Sequence, residues 1–460
     1  MDNATSDIAH LLRRAGFGAG PAELATATSA GYPATVERLL AGGGSAPDPT
    51  GDRIAVPTFT PYQKVAAKHG SPQALAAARA QKKVLSAELP ALQAWWLNRM
   101  LVTSTPLREK MTLLWHGHFA TAVKKVKDPH LMYLQNQLFR TAGMGSFEDL
   151  TQAVAKGGAM MVWLDTEKDK KAHANENFSR ELMELFTLGL GNYTQTDVEQ
   201  SARCFTGWTY DRTTDVWSVQ ARQHDNGTKT FLGRTGNLSG EDAISTILTQ
   251  PASARFVVAK VWSHLAYPVP TTDPVVGQLV SAYAPSFNIT DLLRAVFNHP
   301  AFLSPTAKTG LVKQPIEYLV GAARALRLDA SGARLDPSTG LPVPPPPTQA
   351  KSRVGLAQAA TTLAQTPFDP SNVGGWPQNG YWLNTATALA RTRIAELLAA
   401  RADLSAIEAA PLSQRMAAVA QMLGVVDGWG PTTAGALAGA ARDPASLVAL
   451  ALTSPEYVLN

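Results

Sequence analysis

Helix-start signals recur along this chain and constrain its fold more than any other feature. Thr194 with Asp197, and Ser239 with Asp242, have the spacing of a capping box, in which each side chain bonds the backbone N–H of the other residue. Apolar residues follow at intervals of three and four, the spacing of a helix with one buried face. Residues 90–102 show the same period. We therefore predict a mainly α fold: a large irregular multi-helix bundle with at most a small β-hairpin region.

Strand signals are sparse and lie in one stretch. Residues 208–232 combine aromatic and β-branched residues with turn-forming ones, which favours a small hairpin region. No alternation of strand and helix patterns occurs, and no glycine-rich phosphate loop is present.

A proline-rich segment at 328–353 suggests how the chain is organised. It contains LDPSTGLPVPPPPTQAKSR, a composition typical of an exposed spacer. We therefore divide the chain into a main helical body at 1–327, which carries the polar motifs, the proline-rich loop at 328–353, and a C-terminal helical part at 354–460. The C-terminal part is predicted to pack on the main body as one unit.

The composition is that of a globular protein and argues against several classes. Of the 460 residues, 45% are hydrophobic and 17% charged, which excludes general disorder. The net charge of +5 is small against 41 basic and 36 acidic residues. No basic face interleaved with aromatic residues is evident, so nucleic-acid binding is not predicted. No apolar run of about 18 residues occurs, so no transmembrane segment is predicted.

The cysteine content and the first residues bear on the redox chemistry and the location. The single cysteine, Cys204, excludes a disulfide within the chain and a CxxC zinc site. Its apolar helical surroundings (ARCFTGW) predict a packed thiol rather than a nucleophile. The first residues lack the apolar core of a secretion signal. We expect a cytoplasmic protein as the sequence stands, or an exported one if a leader has been removed.

The motif WHGHF at 115–119 holds the first candidates for chemistry. His116 and His118 converge only where the backbone is extended or turns, because on a continuous helix they point about 200° apart. Gly117 between them favours a local break. Such a pair suits Zn, Fe, Cu or Mn. The structural alternative is that His118 completes an apolar stripe and His116 caps the helix.

A second candidate is NENFSRELMELFTLG at 175–189. Read as a helix, this segment has an apolar core face, and Glu176 lies four residues before Arg180, where the two can pair. The opposite face is a polar stripe that consists of Asn177, Arg180, Glu181 and Glu184. The stripe is either a solvent-facing surface or a row of carboxylates that binds a metal or moves protons.

Two further segments carry weaker signals. HDNGTKTFLG at 224–233 places His224, Asp225 and Lys229 in a turn that is either a pocket element or a plain loop. FDPSNVGGWPQNGYWLN at 368–384 is a Gly/Pro-rich turn with several aromatic residues. Such aromatic side chains line a ligand cleft or wedge the turn against the core, and the sequence leaves both interpretations open.

These segments together resemble one bacterial family, known as domain of unknown function 1800, over about residues 8–458. The resemblance rests on HLLRRAGFG, LREKMTLLWHGHFAT, NENFSRELMELFTLG, YTQTDVEQSARCFTGW, HDNGTKTFLG and FDPSNVGGWP, which occur in the order of the family. It implies a bacterial origin and no established reaction. It also implies that relatives are often exported and encoded beside a sulfatase-like partner.

The polar residues that match the family pattern point to a shared polar site. They are His116, His118, Asn175, Glu176, Asn177, Arg180, Glu181, Glu184, His224, Asp225 and Lys229.

Our leading hypothesis is a metal-dependent enzyme that acts on a polar small molecule or glycan, either a carbohydrate or a phosphorylated compound. Hydrolysis, transfer and oxidation stay open. The predicted catalytic residues are Glu176, Arg180, Glu181, Glu184, His224, Asp225 and Lys229. The predicted substrate-binding residues are Asn175, Asn177, Trp376 and Trp382. The predicted ligands of a divalent metal (Fe, Mn, Zn or Cu) are His116, His118, Glu181 and Glu184. Arg180, Lys229 and Lys313 are candidates for holding an anionic group.

Two alternatives come from other classes. One is a non-catalytic binding or assembly protein that partners a sulfatase-like protein. It would be favoured if the polar motif residues did not surround one cleft. The other is haem binding through His116 or His118, which only non-covalent haem allows because no CxxCH motif is present.

Overall fold

A computed structural model describes residues 3–44, 46–63, 70–336 and 355–459. Within these ranges the α-helices are α1 (Asn3–Arg14), α2 (Pro21–Ala30), α3 (Tyr32–Ala41), α4 (Pro72–Val102), α5 (Pro106–His118), α6 (Val123–Val126), α7 (Pro129–Ala142), α8 (Phe147–Lys156), α9 (Gly158–Trp163), α10 (Glu176–Glu181), α11 (Gln195–Phe205), α12 (Gly240–Leu248), α13 (Pro251–Leu265), α14 (Pro274–Tyr283), α15 (Ile289–Asn298), α16 (Pro305–Lys308), α17 (Pro315–Ala325), α18 (Leu356–Thr362), α19 (Thr385–Ala399), α20 (Ser405–Ala409), α21 (Arg415–Leu423), α22 (Pro431–Ala440), α23 (Pro444–Thr453) and α24 (Pro455–Val458). A π-helix at Leu182–Thr187 continues α10. Short 3-10 turns lie at Gly51–Arg53, Thr166–Lys168, Pro300–Leu303, Asn379–Trp382 and Leu412–Gln414.

Two antiparallel pairs of short strands lie where the sequence shows strand signals. β1 (Trp208–Asp211) pairs with β2 (Val216–Val219), and β3 (Lys229–Phe231) pairs with β4 (Arg234–Gly236). The prediction of a mainly α fold with a small β-hairpin region is confirmed.

The predicted capping boxes are present at the starts of α11 and α12. Thr194 Oγ1 accepts from the N–H of Asp197 at 3.2 Å, and the Asp197 carboxylate accepts from the N–H of Thr194 at 2.8 Å. Ser239 and Asp242 make the same two bonds, at 3.2 and 3.0 Å. Each box satisfies two backbone donors that the first turn of a helix leaves unpaired.

Most of the proline-rich loop predicted at 328–353 lies outside the described residues. On either side of it, the chain contributes to one cluster of buried apolar side chains, which includes Trp96, Tyr318, Leu398 and Val448. The division of the chain at this loop stays a prediction.

α5 and α17 are almost entirely buried, and they carry charges into the interior. Three successive charged residues of α5 have separate partners. Arg108 donates to the carbonyl oxygen of Gly44 at 3.2 Å. Glu109 accepts from Arg140 at 2.6 and 3.0 Å.

Lys110 completes this series by pairing with Glu317 of α17. A buried charge that loses its partner costs about 3–5 kcal/mol, so these pairs fix the position of α5 relative to α7 and α17.

Candidate functional site

The motif WHGHF forms the end of an uninterrupted helix. α5 runs from Pro106 to His118, so the expected break at Gly117 is wrong. Gly117 lies within the helix and keeps its geometry. His116 and His118 therefore diverge, as residues two positions apart on a helix must.

Gly375 instead lets the GGWP turn approach the helix. Its φ of 90° lies in the left-handed region that favours glycine. A Cβ at Gly375 would overlap the carbonyl oxygen of Gly117. The close approach of Gly375 thus joins the WHGHF and GGWP motifs, and Trp376 is placed beside His116.

His116 lies in a cage of aromatic rings. Its ring centroid is 5.2 Å from those of Trp96, Phe368 and Trp376, and 6.2 Å from that of Phe139. Neither ring nitrogen has a hydrogen-bond partner within the described part of the chain. Burial lowers the pKa of His116 to about 3, so the ring is neutral at pH 7. His116 packs as an aromatic core residue rather than as a helix cap.

His118 contacts the π-helix Leu182–Thr187. Its Nε2 is 2.9 Å from the carbonyl oxygen of Phe186. Because a carbonyl can only accept, Nε2 carries the proton, and Nδ1 keeps its lone pair. Burial, and then the charge of Lys260, lowers the pKa of His118 to about 3. His118 is thus a neutral imidazole with one nitrogen able to accept a proton.

The predicted polar stripe on α10 and the π-helix is present, but its charges interact with one another. Arg180 donates to Glu176 at 2.9 Å and to Gln195 at 2.8 Å. Glu184 accepts from the hydroxyl of Tyr193 at 2.8 Å. The side chains of Arg180 and Glu176 are 38% and 39% exposed, so solvent screens this pair.

The side chains of His224 and Asp225 are hydrogen-bonded to other residues of the protein. Nδ1 of His224 is 2.8 Å from the carbonyl oxygen of Thr206. Asp225 accepts from Arg203 of α11 at 2.7 and 3.2 Å. The Arg203 guanidinium lowers the pKa of Asp225 to about 2, which keeps the carboxylate ionised.

Lys229 holds the same turn together. It is fully buried and donates to the carbonyl oxygens of Asp225 and Leu238, the latter at 2.9 Å, and to the side chain of Asn237 at 3.2 Å. Its three donors are therefore used inside the protein.

The residues predicted to bind substrate have mainly internal roles. Asn175 caps α10 by accepting from the N–H of Asn177 at 3.0 Å. Both amides donate to the carbonyl oxygen of Leu164, at 3.3 and 3.4 Å. Trp382 is fully buried, whereas Trp376 is 7% exposed and lines the cavity described below.

The predicted metal ligands are not brought together. In the ranges that the structure describes, no group of three or more His, Cys, Asp or Glu side chains is placed to hold a metal ion. His116 faces aromatic rings, His118 is bonded to Phe186, and Glu184 is bonded to Tyr193. These residues do not fit a divalent metal at this place, and metal binding stays a prediction.

A polar cavity does lie beside His118. Its polar lining is His118 of α5, Lys260 and His264 of α13, Gln314 at the start of α17, and Gln378 after the GGWP turn. The cavity measures about 10 Å³, roughly the room that one water molecule needs. Both the WHGHF and the GGWP motifs contribute to its wall.

Its titratable groups are neutral or unpaired. His264 Nδ1 is 3.5 Å from Gln314 Nε2, and His264 Nε2 is 4.0 Å from a carboxylate oxygen of Glu317. Burial lowers the pKa of His264 to about 4, although the Glu317 charge opposes this. Burial also lowers the pKa of Lys260, which has no hydrogen-bond or ion-pair partner among the described residues.

Sequence reasoning missed most of this cavity. Lys260, His264, Gln314 and Glu317 occur in VVAKVWSHL and VKQPIEYLV, where the apolar period predicts only a buried helix face. One signal in the sequence could have identified the cavity. These charged and polar residues stand at positions that the apolar period places in the core, and such residues are seldom buried without a partner or a function.

The comparisons bear on the class of protein. Within the described ranges, no helix has both the length and the apolar character needed to cross a bilayer. The fold and cavity define a mainly helical protein with a buried polar site that two sequence motifs line. Residues 10–459 match the family model described as protein of unknown function (DUF1800), so the chain belongs to that family. No curated protein and no solved structure matches the chain.

Proposed function

We propose that this protein is an enzyme that transfers protons to and from a polar substrate in the cavity beside His118, with hydrolysis as its reaction class. The observation that carries the proposal is the grouping of His118, Lys260 and His264 around room for about one water molecule. Titratable groups with shifted pKa values that share one cavity are characteristic of active sites.

The geometry supports a separate role for each group. Nδ1 of His118 accepts the proton of a water, because Nε2 is fixed by Phe186. The ammonium of Lys260 stabilises negative charge that develops on the substrate. His264, held between Gln314 and Glu317, orients the attacking water.

The substrate class follows from the size and polarity of the site. A cavity of about 10 Å³ has room for about one water, so the substrate presents only its reacting group to that water while the rest of it stays outside. A carbohydrate or a phosphorylated small molecule has the polar group that this lining would bind. Of the predicted metal ligands, these roles use only His118, and they use it as a base.

The test is hydrolysis of nitrophenyl esters, phosphates and glycosides by the whole protein and by His118→Gln. Glutamine can still donate to the Phe186 carbonyl but cannot take up a proton. We expect kcat for the accepted substrate class to fall about 100-fold, the lower range for loss of a general base. The matched control, His130→Gln on α7, should retain activity. Unchanged turnover in His118→Gln, or no turnover of any class by the wild type, would contradict the proposal.

A second candidate is a non-catalytic binding or assembly protein, for which the family resemblance suggests a sulfatase-like partner. The observation that favours it is the internal use of the polar motif residues, such as Asp225 with Arg203 and Lys229 with three oxygens. Co-purification of an untagged sulfatase-like protein from the same genome with the tagged chain, without any turnover, would place this candidate first.

A further inference from the structure

A larger cavity lies between the end of α1 and the second half of α17, apart from the polar cavity. It measures about 340 Å³, within the range of small-molecule sites. Phe17, Leu101, Leu328 and Met422 contribute apolar walls, and the Gly18–Gly20 segment forms part of the rim. The HLLRRAGFG motif, which the proposed enzymatic site does not use, supplies several of these residues.

Two cations in the lining of this cavity have no ion-pair partner among the described residues. Arg13 and Lys313 both line it, and within the described residues neither makes a hydrogen bond or an ion pair through its side chain. Lys313 is 8% exposed, and its Nζ lies 3.6 Å from the centroid of the Tyr457 ring. The charge of Asp427 acts on Arg13 only from beyond ion-pair distance.

Neighbouring cations raise the positive electrostatic potential around Lys313. Arg13, Lys110 and Arg14 all disfavour a charged Lys313, and only Glu317 opposes them. Glu317 is already bonded to Lys110. Burial together with these charges lowers the pKa of Lys313 well below its ordinary value.

The cavity lining as a whole is also cationic. Arg324 and Arg327 add two positive charges, against the carboxylates of Glu23 and Asp336. Glu23 is already occupied, since it accepts from Arg324 at 3.0 Å and from the N–H of Gly20 at 3.0 Å.

A close backbone contact between α17 and the end of α1 holds Arg13 and Lys313 near each other. Gly321 of α17 lies against Phe17, where an added Cβ would be 2.9 Å from the Phe17 carbonyl oxygen. A side chain at Gly321 would therefore separate α17 from the end of α1, and with it Lys313 from Arg13. Arg13 also lies in the last turn of α1, where a cation is favoured by the helix dipole. The helix dipole accounts for the cation at Arg13 but not for Lys313, the buried cation beside it.

We propose that this cavity binds a small organic oxyanion with an apolar body, whose carboxylate or phosphate group is held by Arg13 and Lys313. Arginine matches the two oxygens of such a group, and the lysine supplies a point charge. The apolar body lies against Phe17, Leu101 and Leu328. This site is distinct from the polar cavity, so it does not depend on the proposed hydrolysis.

The test is calorimetric titration of the full chain with four probes: octyl phosphate, octanoate, octanol and inorganic phosphate. We expect octyl phosphate or octanoate to bind saturably and at least about 10-fold more tightly than octanol and inorganic phosphate, the difference expected for a charge-assisted hydrogen bond. The preferred head group identifies the oxyanion.

Three variants locate the binding. Arg13→Met and Lys313→Met should each weaken binding at least about 10-fold. Ala325→Phe should weaken it by filling the cavity while leaving both cations in place. The matched controls are the exposed Arg38→Met and Lys83→Met, which should bind like the wild type.

Three results would each overturn the proposal. The first is equal affinity of octanol, octyl phosphate and octanoate, which would make the cavity an apolar pocket only. The second is that folded wild-type protein binds neither anion. The third is that Arg13→Met, Lys313→Met and Ala325→Phe all bind as the wild type does.

Discussion

The charges of the outer motif surface and three cations that line the two cavities are arranged in opposite ways. The outer motif surface comprises Glu176, Arg180 and Asp225, together with the buried Lys229 that donates to the Asp225 carbonyl oxygen. Each of these side chains is bonded to another part of the protein. Lys260, Arg13 and Lys313 line the two cavities and have no such partner among the described residues.

This difference separates residues that hold the fold from residues that are free to bind. A polar side chain whose donors or acceptors are already used stabilises its own segment. A buried cation without a partner costs free energy, which a ligand can offset. The family motifs contain both kinds, so membership in a motif does not distinguish them.

The largest effect should come from acid. Folded His116, His118 and His264 have pKa values of about 3, 3 and 4, below the value near 6.5 of an unfolded chain. Between these values the unfolded state binds more protons, so stability is full above about pH 6.5 and is lost as the pH falls toward 3. We expect a loss of about 3 kcal/mol for each histidine at pH 4, measured by urea unfolding.

His116→Phe should lose correspondingly less stability on acidification, because one of the histidines that must be protonated on unfolding is gone. The control His130→Gln should follow the wild type. An identical pH profile for His116→Phe and the wild type would show that His116 is not buried as a neutral ring.

The next largest effect should follow from breaking the central ion pair. Glu317→Gln leaves Lys110 buried without its carboxylate, so we expect the free energy of unfolding to fall by about 3–5 kcal/mol. The double variant Lys110→Met/Glu317→Leu should recover part of this loss. A loss below about 1 kcal/mol in the single variant would mean that solvent reaches the pair.

On the outer motif surface the effect should be smaller. Asp225 and Arg203 are 20% and 27% exposed, so Asp225→Asn should cost about 1 kcal/mol in chemical denaturation. It should leave turnover unchanged, because neither side chain lines the polar cavity. Loss of turnover without loss of stability would move the active site to this surface.

The smallest effect should be that of the helix-surface pair. Arg180→Ala should change the free energy of unfolding by less than about 0.5 kcal/mol, because solvent screens its bond to Glu176. Glu23→Ala provides a comparison, since Glu23 also pairs with an arginine at 3.0 Å while 57% exposed. A change above 2 kcal/mol in Arg180→Ala would indicate that this pair is part of a larger network.

The helical architecture could be predicted because it depends on local patterns. The capping boxes at Thr194 and Ser239 and the period of 90–102 identify helices without knowledge of their neighbours. The packed thiol at Cys204 could also be predicted from a local pattern, its apolar helical surroundings. Cys204 is buried, and burial raises the pKa of its thiol to about 12. The π-helix after Glu181 could not be foreseen, since the residues before and after it share one apolar period.

The candidate site could be predicted only in part, because its residues meet through long-range packing. His118 and Trp376 belong to motifs that sequence reasoning singled out, and the approach of Gly375 to the Gly117 carbonyl oxygen brings those motifs together. His264 lies in a segment whose pattern predicts a plain core helix. The metal hypothesis assumed a break at Gly117 that packing does not permit.

The most direct test compares two buried lysines by urea unfolding at pH 7. Lys229→Met removes a donor from three oxygens and should reduce the free energy of unfolding by about 2 kcal/mol or more. Lys313→Met removes an uncompensated charge and should leave the protein as stable as the wild type or more stable. Equal destabilisation by both substitutions would show that the charge of Lys313 is fully compensated within the protein. It would contradict the contrast between the motif charges, which are bonded within the protein, and the cavity-lining cations, which are not.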